Sequence, residues 1–581
     1  MNYRARPLSI VVAAFLGVIV FGVSSSAVGQ VNFWWDPAGV SPATGGSGTW
    51  DNSAFDWLTP NINSQLPAVP WVDGNIANFS GGTNPTVTLG TSVIADQINF
   101  NTTGYTIAGS GGNTLTLGGL SPTINAGSGS ATSFFSTISA DISATSPVNI
   151  VDTFVGSGST LSNVLNLSGT VNFSSGTLNI TTNSNANENL NIGISQPLSL
   201  STLNFSTPAK NNTYLAGSIT TAGTGGNPPI GTLGSLTMTG ATPTITFGAP
   251  SGPKSGGVLL FDNISAANKI HVIANTSLAV TPVINFEGTS NSFGGGLLLT
   301  DNLPQNGAGS WSTTTSSSAV ARFNFNSATA GGTGAGAGEI DVAANGLIIT
   351  DIGGRPGFNL NLTNDIHLNS NGIVPDAGLF ITAIGATKAS VGGTKVNYSG
   401  RMYGDGSVLI GNDLVRGSGG AGMTIFSGTP KTFTGKVVYN GTYNTSTHAI
   451  AVLQMGARNV LPTGPTFALQ FGFSDGEAAG SEQNNNLGSV DLNGYSQTIA
   501  SLTSSVTLNS LINGITTSYN GPTTAIQDAI PTLTINGSSN DWYTGGLGTA
   551  QNFGPLYPNL QNSYNKVALT RAGTGSTTLG A

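Results

Sequence analysis

Six acidic residues stand apart from one another on segments that alternate polar and apolar side chains: Asp262, Glu287, Asp341, Asp351, Asp365 and Asp405. Two carboxyls on facing positions, one of them kept protonated, are what general acid and base work on a glycosidic bond requires. The chain has no Asp-Asp pair, no Gly-His-Gly and no Arg-x-Lys run. The six therefore read as turn and cap carboxylates, and no catalytic residue is assigned.

The histidines lead to the same place. His271 in "NKIHVIAN" and His367 in "NDIHLNS" alternate with aliphatic residues and belong on strand surfaces, while His448 in "NTSTHAI" lies in a polar turn. No two of them stand at i, i+2 or i, i+4, the spacing a preformed zinc site uses. Cysteine is absent, which removes thiolate ligands, disulfides and a thiol nucleophile. "GGSGTWD" (45–51) is a Gly-rich loop without the strand-to-helix setting of a nucleophile elbow, and "GGTGAGAGEID" (331–341) lacks the Lys-Ser/Thr of a phosphate cradle. "YGDGS" (403–407) and "WVDGN" (71–75) are Asp-Gly turns outside any tandem calcium-binding array. No metal and no cofactor are expected.

The aromatic residues offer one binding reading. Trp34, Trp35, Trp50, Trp57 and Trp71 account for five of the seven tryptophans. Exposed, they would stack on sugar rings and make an extracellular or cell-surface polysaccharide the partner. Buried, they would cover the end of a stack of strands, where core and unpaired edges must be shielded, and this is the favoured reading. Nucleic acid is an unsuitable partner for a chain of net charge −8 with 16 basic residues.

The elements that must position these residues are strands. Only 7% of the 581 residues are charged, against about a quarter in ordinary globular chains, yet 38% are hydrophobic and 83 are glycine. Period-two segments recur along the chain, among them "PTVTLG" (85–90), "DQINFN" (96–101), "GTVNFSSGTLNITTNS" (169–184), "GSLTMTGATPTITFG" (234–248) and "FNLNLTNDIHLNS" (358–370). Sandwiches and barrels close within about 250 residues, whereas a solenoid adds coils without limit, so length favours the solenoid. The expected fold is all-β, a right-handed parallel β-helix. In it Val, Ile, Leu and Phe point inward, and Asn, Ser and Thr stack on their equivalents about 4.8 Å away. Like charges would repel in such stacks, which accounts for their scarcity.

Residues 1–29 have the order of a secretory signal peptide: Arg4 and Arg6, an apolar run from Leu8 to Val23, then small residues. Removing two Arg and no acid leaves 14 basic against 24 acidic residues, a net −10. Export places the protein outside the cell or on its surface, with the export machinery as a partner. Residues 31–119 form the Trp-rich capping module, 120–413 an irregular solenoid, and 414–581 a repeat-like β-helix.

That last part carries a resemblance. "LVRGSGGAGMTIFSGTPKTFTGKVVYNGTY" (414–443) resembles the bacterial autotransporter-associated β-strand repeat, with Arg416 at the Lys place, Met423–Gly428 at the strand and Phe433–Gly435 at the Tyr-Thr-Gly step. "SVDLNGYSQTIASLTSS" (489–505) is similar to the family's Leu-Asp-Leu-Asn-Gly-aromatic-x-Gln-Thr-Ile segment, and "KVALTRAGTGSTTLGA" (566–581) resembles the opening of a further copy. The likeness implies a secreted or surface-displayed β-helix with a structural or adhesive role and no catalysis. A β-helical protein that binds or cleaves polysaccharide is the alternative.

Overall fold

The computed structural model describes residues 30–127, 134–153, 161–182, 188–206, 213–216, 218–221, 230–232, 235–248, 257–260, 263–274, 283–286, 291–301, 321–325, 338–343, 347–351, 359–369, 378–381, 395–410, 423–439, 451–471, 488–504, 514–516, 528, 530–543, 546–547 and 567–579. The signal-peptide segment, Arg416, Asp262, Glu287 and His448 lie outside them. Among the described residues there is no helix, and the strands pair almost throughout in parallel. Two long sheets run along the chain, one of 17 strands from Asn32–Trp35 to Met402–Gly404 and one of 16 from Gly48–Trp50 to Ser501–Ser504. A 7-stranded sheet, from Asn359–Leu362 to Gly546–Leu547, continues the stacking in the second half. The chain is an all-β stack of parallel coils, as its composition implies.

Alternation sets the inside and the outside of each rung. Ile98, Ile124, Ile150, Ile180 and Phe205 are register partners on successive strands, and all are buried. On the other face Asn149, Asn179 and Asn204 stand one above the next, and each amide donates to the carbonyl oxygen of the one before it, at 3.0 and 2.8 Å. A second ladder links Asn32, Asn78, Asn99 and Asn125. Asn pairs in this way because its amide donates on one side and accepts on the other, so a column satisfies itself without charge.

The sequence shows no fixed period because the coils differ in length. Leu190 pairs with Thr213 after a short excursion, while Thr213 pairs with Val258 after a long one.

At the Trp-rich end, strand Asn32–Trp35 pairs in parallel with Asn75–Phe79 and antiparallel with Trp57–Leu58. Its outer edge is thereby occupied. Trp57 sits at the centre of a cluster, its ring 5.1 Å from Trp35, 5.2 Å from Trp50 and 4.9 Å from Trp71.

The repeat-like stretches form coils with definite local causes. Strand Met423–Phe426 lies where the resemblance places it, Phe433 packs edge-on against Phe467, and a Cβ on Gly435 would come within 2.2 Å of Gly406 O. Between them lies Lys431, only 1% exposed, whose ammonium donates to the carbonyls of Tyr398, Gly400, Ser427 and Thr429 at 2.6–3.0 Å. Burial pushes its pKa down to about 8. Gln497 of the second stretch is also buried. Its carbonyl oxygen accepts from the Val460 and Leu461 amides, and its NH2 donates to Ala457 O and Tyr495 O. Arg571 reaches back to the previous coil, pairing with the buried Asp541 at 2.8 Å and donating to Gly537 O and Ser539 O.

Candidate functional site

In a chain so poor in charge, one place on the 17-stranded sheet gathers it. Strands Ile270–Ala274, Leu297–Asp301, Ile340–Val342, Ile366–Leu368 and Met402–Gly404 are consecutive rungs there. The register joins Ile270, Leu297, Ile340, Ile366 and Met402 in a buried column. Because alternate side chains point outward, the next positions form an outer column of His271, Leu298, Asp341, His367 and Tyr403. Beside it, the residues preceding the buried column are Lys269, Gly296, Glu339, Asp365 and Arg401. Their carbonyls or amides complete the same ladder, for example Ile340 N to Asp365 O at 2.9 Å and Ile366 N to Arg401 O at 2.8 Å.

Gly296 decides how this second column pairs. Lacking a side chain, it leaves the rung between Lys269 and Glu339 clear, and the Lys269 ammonium spans it to sit 3.3 Å from Glu339 Oε1 and 3.7 Å from Asp341 Oδ2. Its φ of +85° and the 2.1 Å that would separate a Cβ from Glu339 O both demand glycine. Tyr403 donates its hydroxyl to Glu339 Oε2, and Arg401 lies 4.0 Å above the Tyr403 ring while pairing with Asp365 at 3.3 Å. His367 stacks on Tyr403 with ring centres 4.7 Å apart, and its Nδ1 lies 3.1 Å from Asp341 Oδ1.

Electrostatics follow from this crowding. Burial pushes the Glu339 carboxyl up, but the hydrogen bonds from Tyr403 and Lys269, with the charges of Lys269 and His367, outweigh it and hold the group below its ordinary value. The Tyr403 phenol is pushed up to about 12, first by its bond to Glu339 and then by burial. His271, one end of the column, bonds Thr300 Oγ1 at 2.7 Å, and burial holds it below the usual imidazole range. Glu339, Asp341 and His367 each offer one donor atom, and the three atoms lie within 4.8 Å of one another.

The reading of Asp341 and Asp365 as isolated carboxylates is therefore corrected. Each has a basic neighbour from another rung. His271 and His367 do lie on strand surfaces, but His367 belongs to a cluster that no sequence spacing announces, since its neighbours come from the strands before and after it. No motif or spacing in the sequence marks Glu339, Lys269, Arg401 or Tyr403, which join the cluster through the stacking of rungs. Asp405 lies in an exposed bend beyond the cluster, and Asp351 ends a strand of the other long sheet.

The tryptophans fare differently from the stacking platform considered for them. Trp35, Trp50, Trp57 and Trp71 are at most 2% exposed, so they present no ring face to a sugar. Trp34 alone is partly exposed. The physical reason is that alternation and the antiparallel return strand turn these rings into the core, where edge-to-face contacts absorb them.

No family model matches the chain, and no solved structure matches it. Over 103 residues, 17% of the chain, it is 40% identical to "Adhesin BmaC autotransporter" of Brucella suis biovar 1 (strain 1330). The chain spans only 3% of the length of that curated relative, so the likeness is a partial one to an autotransporter adhesin.

Proposed function

We propose that this chain is an exported, surface-displayed β-solenoid that acts in adhesion without catalysis, the Trp-rich module shielding the end of the stack. The observation that carries the reading is the stack of parallel coils with self-satisfied Asn ladders, joined to the partial likeness to an autotransporter adhesin. Such a surface offers many weak hydrogen-bonding contacts repeated along its length, so attachment arises from repetition. With few charges, attachment depends little on salt.

The test is adhesion of the purified chain to cells and to immobilised neutral and acidic glycans, with fragment release from the same glycans measured in parallel. Adhesion that weakens in a graded way when residues 414–581 are removed, with no fragments released, is the expected result. A second reading, polysaccharide binding or cleavage, draws on the carboxylates and imidazole gathered around Asp341. Release of oligosaccharides that Asp341→Asn abolishes while the fold survives would replace the adhesive reading with it.

A further inference from the structure

We infer that Glu339, Asp341 and His367 form a site for a divalent cation of the zinc and manganese class, and that Lys269 is the ammonium such an ion displaces. The inference is independent of the adhesive reading. One imidazole with two carboxylates suits these ions, whereas magnesium and calcium favour oxygen ligands alone.

Four observations converge on it. The three donors are held on two adjacent rungs in fixed register, Asp341 directly opposite His367 and Glu339 two positions from Asp341 on the same face. Their atoms lie within 4.8 Å of one another, and a tetrahedral ion at about 2.1 Å from each needs about 3.4 Å, so the widest-spaced pair closes by at most about 1.4 Å. A cationic group already occupies the space between the two carboxylates, since Lys269 Nζ contacts both. Among the described residues, the carboxylates of Glu339, Asp341 and Asp365 pair with Lys269 and Arg401, three acids against two permanent bases.

The fourth observation points to a ligand most directly. Asp341 Oδ1 is buried and accepts no hydrogen bond, although His367 Nδ1 stands 3.1 Å away. A cation shared by the neutral imidazole and the carboxylate would satisfy both of these closely spaced atoms at once. Lys269, with 38% of its side chain exposed, is free to swing into solvent as an ion enters. Tyr403 supports the arrangement from outside by bonding Glu339 Oε2, which leaves Oε1 facing inward.

The experiment uses the full chain without a histidine tag, freed of metal by a chelator and titrated with zinc, magnesium and calcium salts by calorimetry, with metal content measured after equilibrium dialysis. One saturable zinc equivalent is expected, at least about tenfold tighter than magnesium or calcium. His367→Ala and Asp341→Asn weaken it at least about tenfold, and His271→Ala leaves it unchanged. Lys269→Met tightens it several-fold, because a competing charge is gone. This arm removes no ligand and remains decisive if a ligand variant misfolds by circular dichroism. Absence of saturable zinc binding, affinity untouched by His367→Ala, or affinity unchanged or weakened by Lys269→Met would each overturn the proposal.

Discussion

Replacing Lys431 with Met tests how this solenoid tolerates a buried charge. The ammonium is only 1% exposed and is surrounded by four carbonyl oxygens, with no carboxylate among its hydrogen-bond partners. Met keeps the packing volume and removes every donor. The Tyr398 carbonyl keeps the Ser427 amide as donor, and the other three lose the ammonium at a cost of about 1–3 kcal/mol each. Against this, moving the lysine from its ordinary 10.5 to about 8 represents about 3 kcal/mol of burial penalty that the variant escapes. At about 2 kcal/mol for each of three carbonyls, less the escaped penalty, Lys431→Met destabilises the surrounding coils by about 3 kcal/mol at neutral pH.

The pH dependence has a definite sign. Below about pH 8 the lysine is charged folded and unfolded, and the penalty is fully present. Between about 8 and 10.5 the unfolded chain holds the proton and the folded one does not, so the stability of the natural protein rises with pH. Its advantage over the variant should widen by about 2 kcal/mol from pH 7 to pH 9.5. Urea denaturation followed by far-ultraviolet circular dichroism at both pH values gives the difference. In a stacked protein this difference, and not the absolute free energy, is the meaningful quantity. An advantage that stays flat or narrows as pH rises would refute the reasoning, because it would mean the four carbonyls hold the proton more strongly than burial expels it.

Three further predictions rest on other parts of the molecule. Asn179→Ala strands the Asn149 oxygen and the Asn204 amide and should lower stability by about 1–2 kcal/mol in the same denaturation assay, while exposed Thr86→Ala stays within about 0.5 kcal/mol. Trp57→Ala opens the aromatic cluster and should cost about 3–5 kcal/mol with loss of near-ultraviolet circular dichroism, and glycan retention on affinity gels should not change in any variant of Trp35, Trp50, Trp57 or Trp71 that folds. Glu339→Gln should let the Tyr403 phenol fall from about 12 toward about 10, read by ultraviolet difference titration; no change would show that the bond to Glu339 is not what raises it.

Much of the fold was legible in the amino-acid order, because a strand that is half buried must alternate and a stack of strands must place like on like. That Ile98, Ile124, Ile150, Ile180 and Phe205 face inward and Asn149, Asn179 and Asn204 outward follows from period-two patterning. Low charge and the wealth of Asn, Ser, Thr and Gly follow from the same stacking. What tertiary structure decided is register between distant coils. Lys269, Glu339, Asp341, His367 and Tyr403 meet only because coils of unequal length bring positions far apart in sequence onto neighbouring rungs, and unequal loops erase any spacing by which to find them. The tryptophans make the same point from the opposite side. Their types suit a sugar platform as well as a core, and alternation together with the antiparallel return of Trp57–Leu58 onto Asn32–Trp35 turns four of them inward.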